Sequence, residues 1–193
     1  MVLALAAAAG GVSAQAPSGR NHPLASQPVP VRVTPENVRL NNYLHDLAGP
    51  GAFVGAVGGG LLDHLRQRPA VWGDDADGLA QRIGSRATQA AVQVSVRHGL
   101  AALMHRSTDY QPCECRGFGR RVEHAFLETF TDRRADGSRA LSVPIIAGAY
   151  AGGLSRMVWE PHRNVDDAAL SATLSLGLSA VFNIARELSG LSR

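Results

Sequence analysis

The 193-residue chain has no lysine: all 19 of its basic side chains are arginine. Cysteine is limited to two residues and aromatics to 5%. Two cysteines cannot build the disulfide framework of a small secreted scaffold. So few aromatic rings leave nothing for the girdles that flank a lipid-facing barrel. The arginines are scattered rather than gathered in one run, so the net charge of +3 reflects GC-rich codon usage, and no nucleic-acid role is expected. A G-x-S-x-G elbow, a P-loop and an H-E-x-x-H pair are also missing. Gly55 to Gly60 is glycine-rich but lacks the G-x-G-x-x-G pattern and follows no strand. No catalytic residue and no cofactor is therefore expected.

Glycine, by contrast, is abundant at 21 residues, which suggests close backbone packing. Residues Val2 to Ala9 are small and apolar, and Val12 and Ala14 occupy the −3 and −1 positions of a signal-peptidase site before Gln15. This predicts a signal peptide over 1–14 and an exported protein, in the periplasm or cell envelope. A positively charged segment ahead of the apolar core is missing, and a short buried N-terminal helix is the competing reading. Pro17, Pro23, Pro28 and Pro30 make 15–34 a flexible Pro-rich linker. The remainder, 35–193, has the length of a single helical domain.

Within that domain Thr34-Pro35-Glu36 is a helix start, and the first helix should stop at Gly49-Pro50. Gly51, Gly55 and Gly59 then recur at spacing four, giving one helix face without side chains. The most secure helix is 75–105. There Leu79, Ile83, Ala87, Ala90, Val94 and Ala101 form one face, and Arg82, Arg86, Gln89, Gln93 and Arg97 the opposite face. Phe118, Val122, Phe126 and Phe130 mark a further amphipathic helix, and polar 131–139 reads as a surface loop. Residues 144–154 carry Gly148 and Gly152 one turn apart, and this stretch is expected to pack on Gly51 to Leu62. Leu170, Leu174, Leu178, Val181, Ala185 and Leu188 fit a final helix, although 170–184 also alternates like a barrel strand. Residues 168–185 hold no charge over 18 positions and form the one plausible membrane span. The expected fold is all-α: a compact bundle of about five or six helices with glycine-faced packing.

Cys113-Glu114-Cys115 is the most distinctive tripeptide. It admits a tight local disulfide, free or intermolecular thiols, or a redox site. A metal site would join Cys113 and Cys115 to His105 and His124, the right ligand types for zinc at a spacing that matches no standard zinc signature. His98 and His105, seven apart on one helix face, could form an acid–base cluster with Asp109. Arg116, Arg120 and Arg121 could hold an anionic headgroup or simply face solvent.

Several short features resemble a family of uncharacterised, signal-peptide-bearing, glycine- and alanine-rich helical proteins common in Acidobacteria. They are Arg82 to Ser85, Asp109-Tyr110, Gly117-Phe118-Gly119 with His124-Ala125, Ile146 to Tyr150, and Phe182-Asn183 with Arg186-Glu187. The resemblance covers about 47–188 and implies no assigned activity; Cys113-Glu114-Cys115 departs from the family pattern. The expectation for function is a non-catalytic exported envelope protein that associates with membrane lipid or with itself through small-residue helices. A periplasmic carrier of an apolar ligand such as a lipid, and a thiol or metal enzyme using Cys113 and Cys115 with histidines, are the alternatives.

Overall fold

In the computed structural model, residues 36–107, 110–113, 115–134 and 137–189 are described. The expected leader, the linker, the Thr34-Pro35 start and Asp109 lie outside these residues. Helix α1 (Glu36–Ala48) ends at Gly49, and α2 (Pro50–Leu65) begins at once with proline at its first position, where a missing N–H costs nothing. A 3-10 turn at Ala70–Trp72 leads to Asp75, whose carboxylate accepts from the Gly78 N–H and caps α3 (Ala76–Leu103). Helix α4 (Phe118–Phe130) is followed by two short antiparallel strands, β1 (Thr131–Arg133) and β2 (Arg139–Leu141). Ser142 caps α5 (Val143–Ser155) through the Ile145 N–H, and Val165–Ser189 form α6.

The described chain is thus mostly helical, with six α-helices. One feature departs from expectation. The polar stretch 131–139 is not simply a loop, because its ends pair as a hairpin in the register Thr131 with Leu141 and Arg133 with Arg139. The C-terminal segment is helix throughout, so its alternation does not make a strand.

Helix α3 is the axis on which the others are arranged. Helices α2 and α5 run antiparallel to it and α6 runs parallel, as the contacts of Gly60 with Ile83, Gly152 with Gln89, and Ser171 and Ser175 with Gln89 and Gln93 show. The expected pairing of the two glycine stretches on each other is replaced by packing of both on α3. A Cβ at Gly60 would lie 2.5–2.8 Å from Ile83, much of it backbone, and one at Gly148 would lie 2.7 Å from the Gln93 carbonyl oxygen. Gly152 meets the Gln89 carbonyl at 2.9 Å and Gly153 that of Ala168 at 2.5 Å. Gly59 rests on the Arg86 side chain, whereas Gly51 and Gly55 meet nothing within 4 Å. Of that row only Gly59 packs against another element among the described residues. Gly60, one position off that row, makes the close approach.

What this arrangement buries is unusual. Among the described residues the buried apolar side chains are small: Pro144 and the alanines Ala56, Ala101, Ala125, Ala149, Ala168, Ala172 and Ala180. On α3 the buried positions are Gly78, Arg82, Ser85, Gln89 and Ala101, so the interior takes Arg82 and Gln89 from the polar stripe as well as Ala101 from the apolar one. Ala87 of the apolar stripe is exposed, and Leu79, Ile83, Ala90 and Val94 are half-buried. Large apolar side chains point outward instead, among them Phe53, Leu65, Phe118, Leu174 and Phe182.

Candidate functional site

The polar stripe of α3 becomes a buried seam because neighbouring elements supply partners for each of its members. Asp63, near the end of the apolar helix α2, accepts from Arg86 Nε at 2.7 Å and Nη2 at 2.6 Å, a bidentate pair, and from Arg156 Nη2 at 3.1 Å. Arg156, 3% exposed just after α5, also donates to Glu160 Oε1 at 2.6 Å and to the Gln89 side-chain oxygen at 3.1 Å. Ser85 donates to Glu160 at 2.6 Å and accepts from the Trp159 indole N–H at 2.9 Å. Arg163 closes the far side on Glu160 Oε2 at 2.8 Å. Burial and the nearby charge of Arg156 hold the Arg163 guanidinium below its ordinary value.

Further along, Gln89 and Gln93 meet Ser171 and Ser175 of α6. Arg82, fully buried, donates to the carbonyls of Arg68, Pro69 and Gly73 and so ties the α2–α3 connection down. Both oxygens of Asp63 and both of Glu160 are occupied, so the seam leaves neither of its carboxylates without a cation. Its chemistry is tethering: one network reaches α2, α3, the end of α5, and α6.

Another buried acid, Glu187, lies near the end of α6. It accepts from the Tyr110 hydroxyl at 2.6 Å and the Cys113 N–H at 3.1 Å, with Arg121 Nε 3.8 Å away. Arg186 stacks over the Tyr110 ring at 4.8 Å. Burial first, and then the Glu187 carboxylate, raise the Tyr110 hydroxyl well above the usual tyrosine range. Glu187 thereby anchors the loop in which the Cys113 and Cys115 sulfurs are paired as a disulfide.

The remaining sequence candidates separate. His98 binds Asp46 Oδ2 at 3.0 Å and meets the Tyr43 ring edge-on, while His105 is exposed, so the two do not form a cluster. His124 lies beside Glu128 and Tyr110. No group of three or more His, Cys, Asp or Glu among the described residues is placed to hold a metal, which removes the geometric basis for a site made of His105, Cys113, Cys115 and His124. Arg116 and Arg120 are exposed, whereas Arg121 turns inward to the Glu187 backbone carbonyl.

The chain matches no family model, no curated protein and no solved structure. Function must be argued from the geometry.

That geometry turns on Asp63, Arg156 and Glu160, which the sequence did not single out, and on Glu187, which entered only through the resemblance. A signal for two of them was present. Asp63 closes an uncharged run from Pro50 to Leu62, and Arg156 closes another from Val143 to Ser155. An isolated charge at the edge of such a run asks for a partner.

Proposed function

We propose that this chain is an exported, non-catalytic helical membrane protein of the cell envelope, held in lipid by its outward apolar faces. One observation carries the reading. The most apolar 18 residues of α6 are only 17% buried, although the helix packs on the rest of the chain. Leu170, Leu174, Leu178, Val181 and Phe182 are each more than half exposed along one face, while Ala168, Ala172 and Ala180 turn inward. In water such a continuous apolar row is a liability that monomeric proteins avoid. In lipid it is the favourable surface, and the small residues and hydrogen bonds inside are what holds membrane helices together. At 1.5 Å per residue the 25 residues of α6 reach about 37 Å, enough to cross a hydrocarbon core of about 30 Å.

The test is fractionation of expressing cells with alkaline carbonate extraction of the membrane pellet. A carbonate-resistant protein whose intact mass begins near Gln15 is expected. A soluble product would overturn membrane embedding and return attention to the lipid-carrier alternative. Gly51 and Gly55, open on α2, favour self-association as a companion property, since a second helix can approach closely there. Crosslinking in membranes should trap a dimer.

A further inference from the structure

We infer that the α2–α3 and α5–α6 connections form one rigid anchor that seats in the headgroup region of a phospholipid bilayer, at the end where α6 begins. The inference rests on the membrane reading above and asks for no crossing by α2 or α5, which at 16 and 13 residues are too short to span. It starts from what the two turns expose. Turns in water are built largely from polar and small residues, yet these present Leu65, at the end of α2, with Val71, Met157 and Val158 outward. Val158 at 85% and Leu65 at 80% are the most exposed large apolar side chains among the described residues. Exposed charges stand between them in the chain: Arg66, Arg68, Asp74, Asp75 and Asp77.

Both tryptophans of the chain belong here, each half-buried: Trp72 closes the 3-10 turn of one connection and Trp159 follows Val158 in the other. Tryptophan concentrates at the lipid–water boundary, where its apolar body and polar edge each find a suitable medium. Apolar tips, indoles and charges held together fit that boundary, with Val71 and Val158 toward the acyl chains and the charged side chains among the headgroups. The place in the chain agrees. Trp159 stands six positions ahead of Val165, the first residue of α6, so the anchor lies at the start of the helix whose outward row carries the membrane reading.

The two turns move as one body. Arg82 holds the first through the carbonyls of Arg68, Pro69 and Gly73. A Cβ at Gly78 would lie 2.1 Å from the Trp72 carbonyl oxygen, so α3 begins hard against that turn. Ser85 reaches the second turn by donating to Glu160 and accepting from the Trp159 indole N–H, and Asp63 with Arg156 joins the two. Tips fixed in this way meet lipid with little further ordering to undergo.

Because the chain has no other tryptophan, its intrinsic emission reports on the anchor alone. The experiment reconstitutes full-length protein into phosphatidylcholine vesicles, with part of the lipid brominated either near the headgroup end or near the methyl end of its acyl chains. Trp72→Phe leaves Trp159 as the reporter, and Trp159→Phe leaves Trp72. Both should lose more emission to the shallow bromines than to the deep ones. Val71→Asp with Val158→Asp, at positions exposed enough to leave the interior untouched, should lose most of that shallow quenching. Quenching unchanged in the aspartate variant, or stronger from the deep bromines, would overturn the anchor. So would indoles that no bromine reaches in protein that floats with the vesicles, and α6 would then remain in lipid without it. Protein that fails to float would overturn the membrane reading and the anchor with it.

Discussion

Asp63 and Arg156 meet at 3.1 Å, although 93 residues separate them, and through this contact the end of α2 is bound to the end of α5 beside α3. Both are almost fully enclosed, and Arg86 supplies a second cation to the same carboxylate. Removing one partner from a buried pair leaves the other charge without compensation. Asp63→Ala is therefore expected to cost about 3–5 kcal/mol, read as a lowered unfolding midpoint in detergent. Adding Arg156→Met should recover part of that loss; strictly additive effects would show that the two residues are not coupled.

Glycines divide into those that meet a backbone and those that meet nothing, and stability should divide with them. Gly60→Ala forces a methyl against Ile83, and overpacking of this kind costs about 1–3 kcal/mol. Gly55→Ala places the same methyl in open space and should gain up to about 1 kcal/mol from helix propensity. Thermal unfolding of the two variants side by side checks this, and equal effects would contradict the close approach at Gly60.

Helix positions were largely legible in the sequence because their ends carry local signals: Gly49-Pro50, the Asp75 cap, and Ser142 ahead of Pro144. That Arg82 and Gln89 of the polar face of α3 turn inward was not. Periodicity separates two faces without saying which one the surroundings favour, and the rule that the apolar face is inside presumes water outside. The strands β1 and β2, three residues each and rich in arginine, carry no alternation that could be read. The seam was hidden because the contacts that join its elements span 67–93 residues, as in Arg156 to Gln89 and to Asp63.

Asp46 joins α1 to α3 through His98 and Arg97. Burial alone would raise its carboxyl, but the hydrogen bond from His98 and the charge of Arg97 outweigh it and hold the group below its ordinary 3.8. A depressed acid contributes stability above the unfolded-state value and loses it as pH falls through the folded one. The α1–α3 contact should therefore weaken below about pH 4. Asp46→Asn should remove that part of the acid dependence, followed by limited proteolysis near Gly49 across pH.

Tyr110 shifts the other way. Its hydroxyl proton is retained by burial and by Glu187, so the contribution is complete below the ordinary value of 10.0 and declines as pH rises above it. Tyr110→Phe leaves Glu187 short of a donor and should cost about 1.5–3 kcal/mol at neutral pH, the range for hydrogen bonds to charged groups. The variant should also lose part of the alkaline fall in the unfolding midpoint. Because Cys113 donates to the same carboxylate, the cysteine pair should become more accessible to a reductant followed by alkylation.

The exposed row on α6 gives the sharpest contrast between lipid and water. Leu174 is 61% exposed, so a polar substitution there disturbs almost no contact inside the chain. In a soluble protein Leu174→Arg would be close to neutral and would improve solubility. At the centre of a membrane helix an arginine costs about 2.5–3.5 kcal/mol on insertion scales. The variant is accordingly expected to shift from the carbonate-resistant fraction toward the soluble or degraded one, and Leu178→Arg should do the same. Ser189→Arg, at the end of the helix, should insert normally because a long side chain there reaches the interface. A Leu174→Arg protein that stays fully embedded would mean that the row faces a protein partner or an aqueous surface rather than lipid.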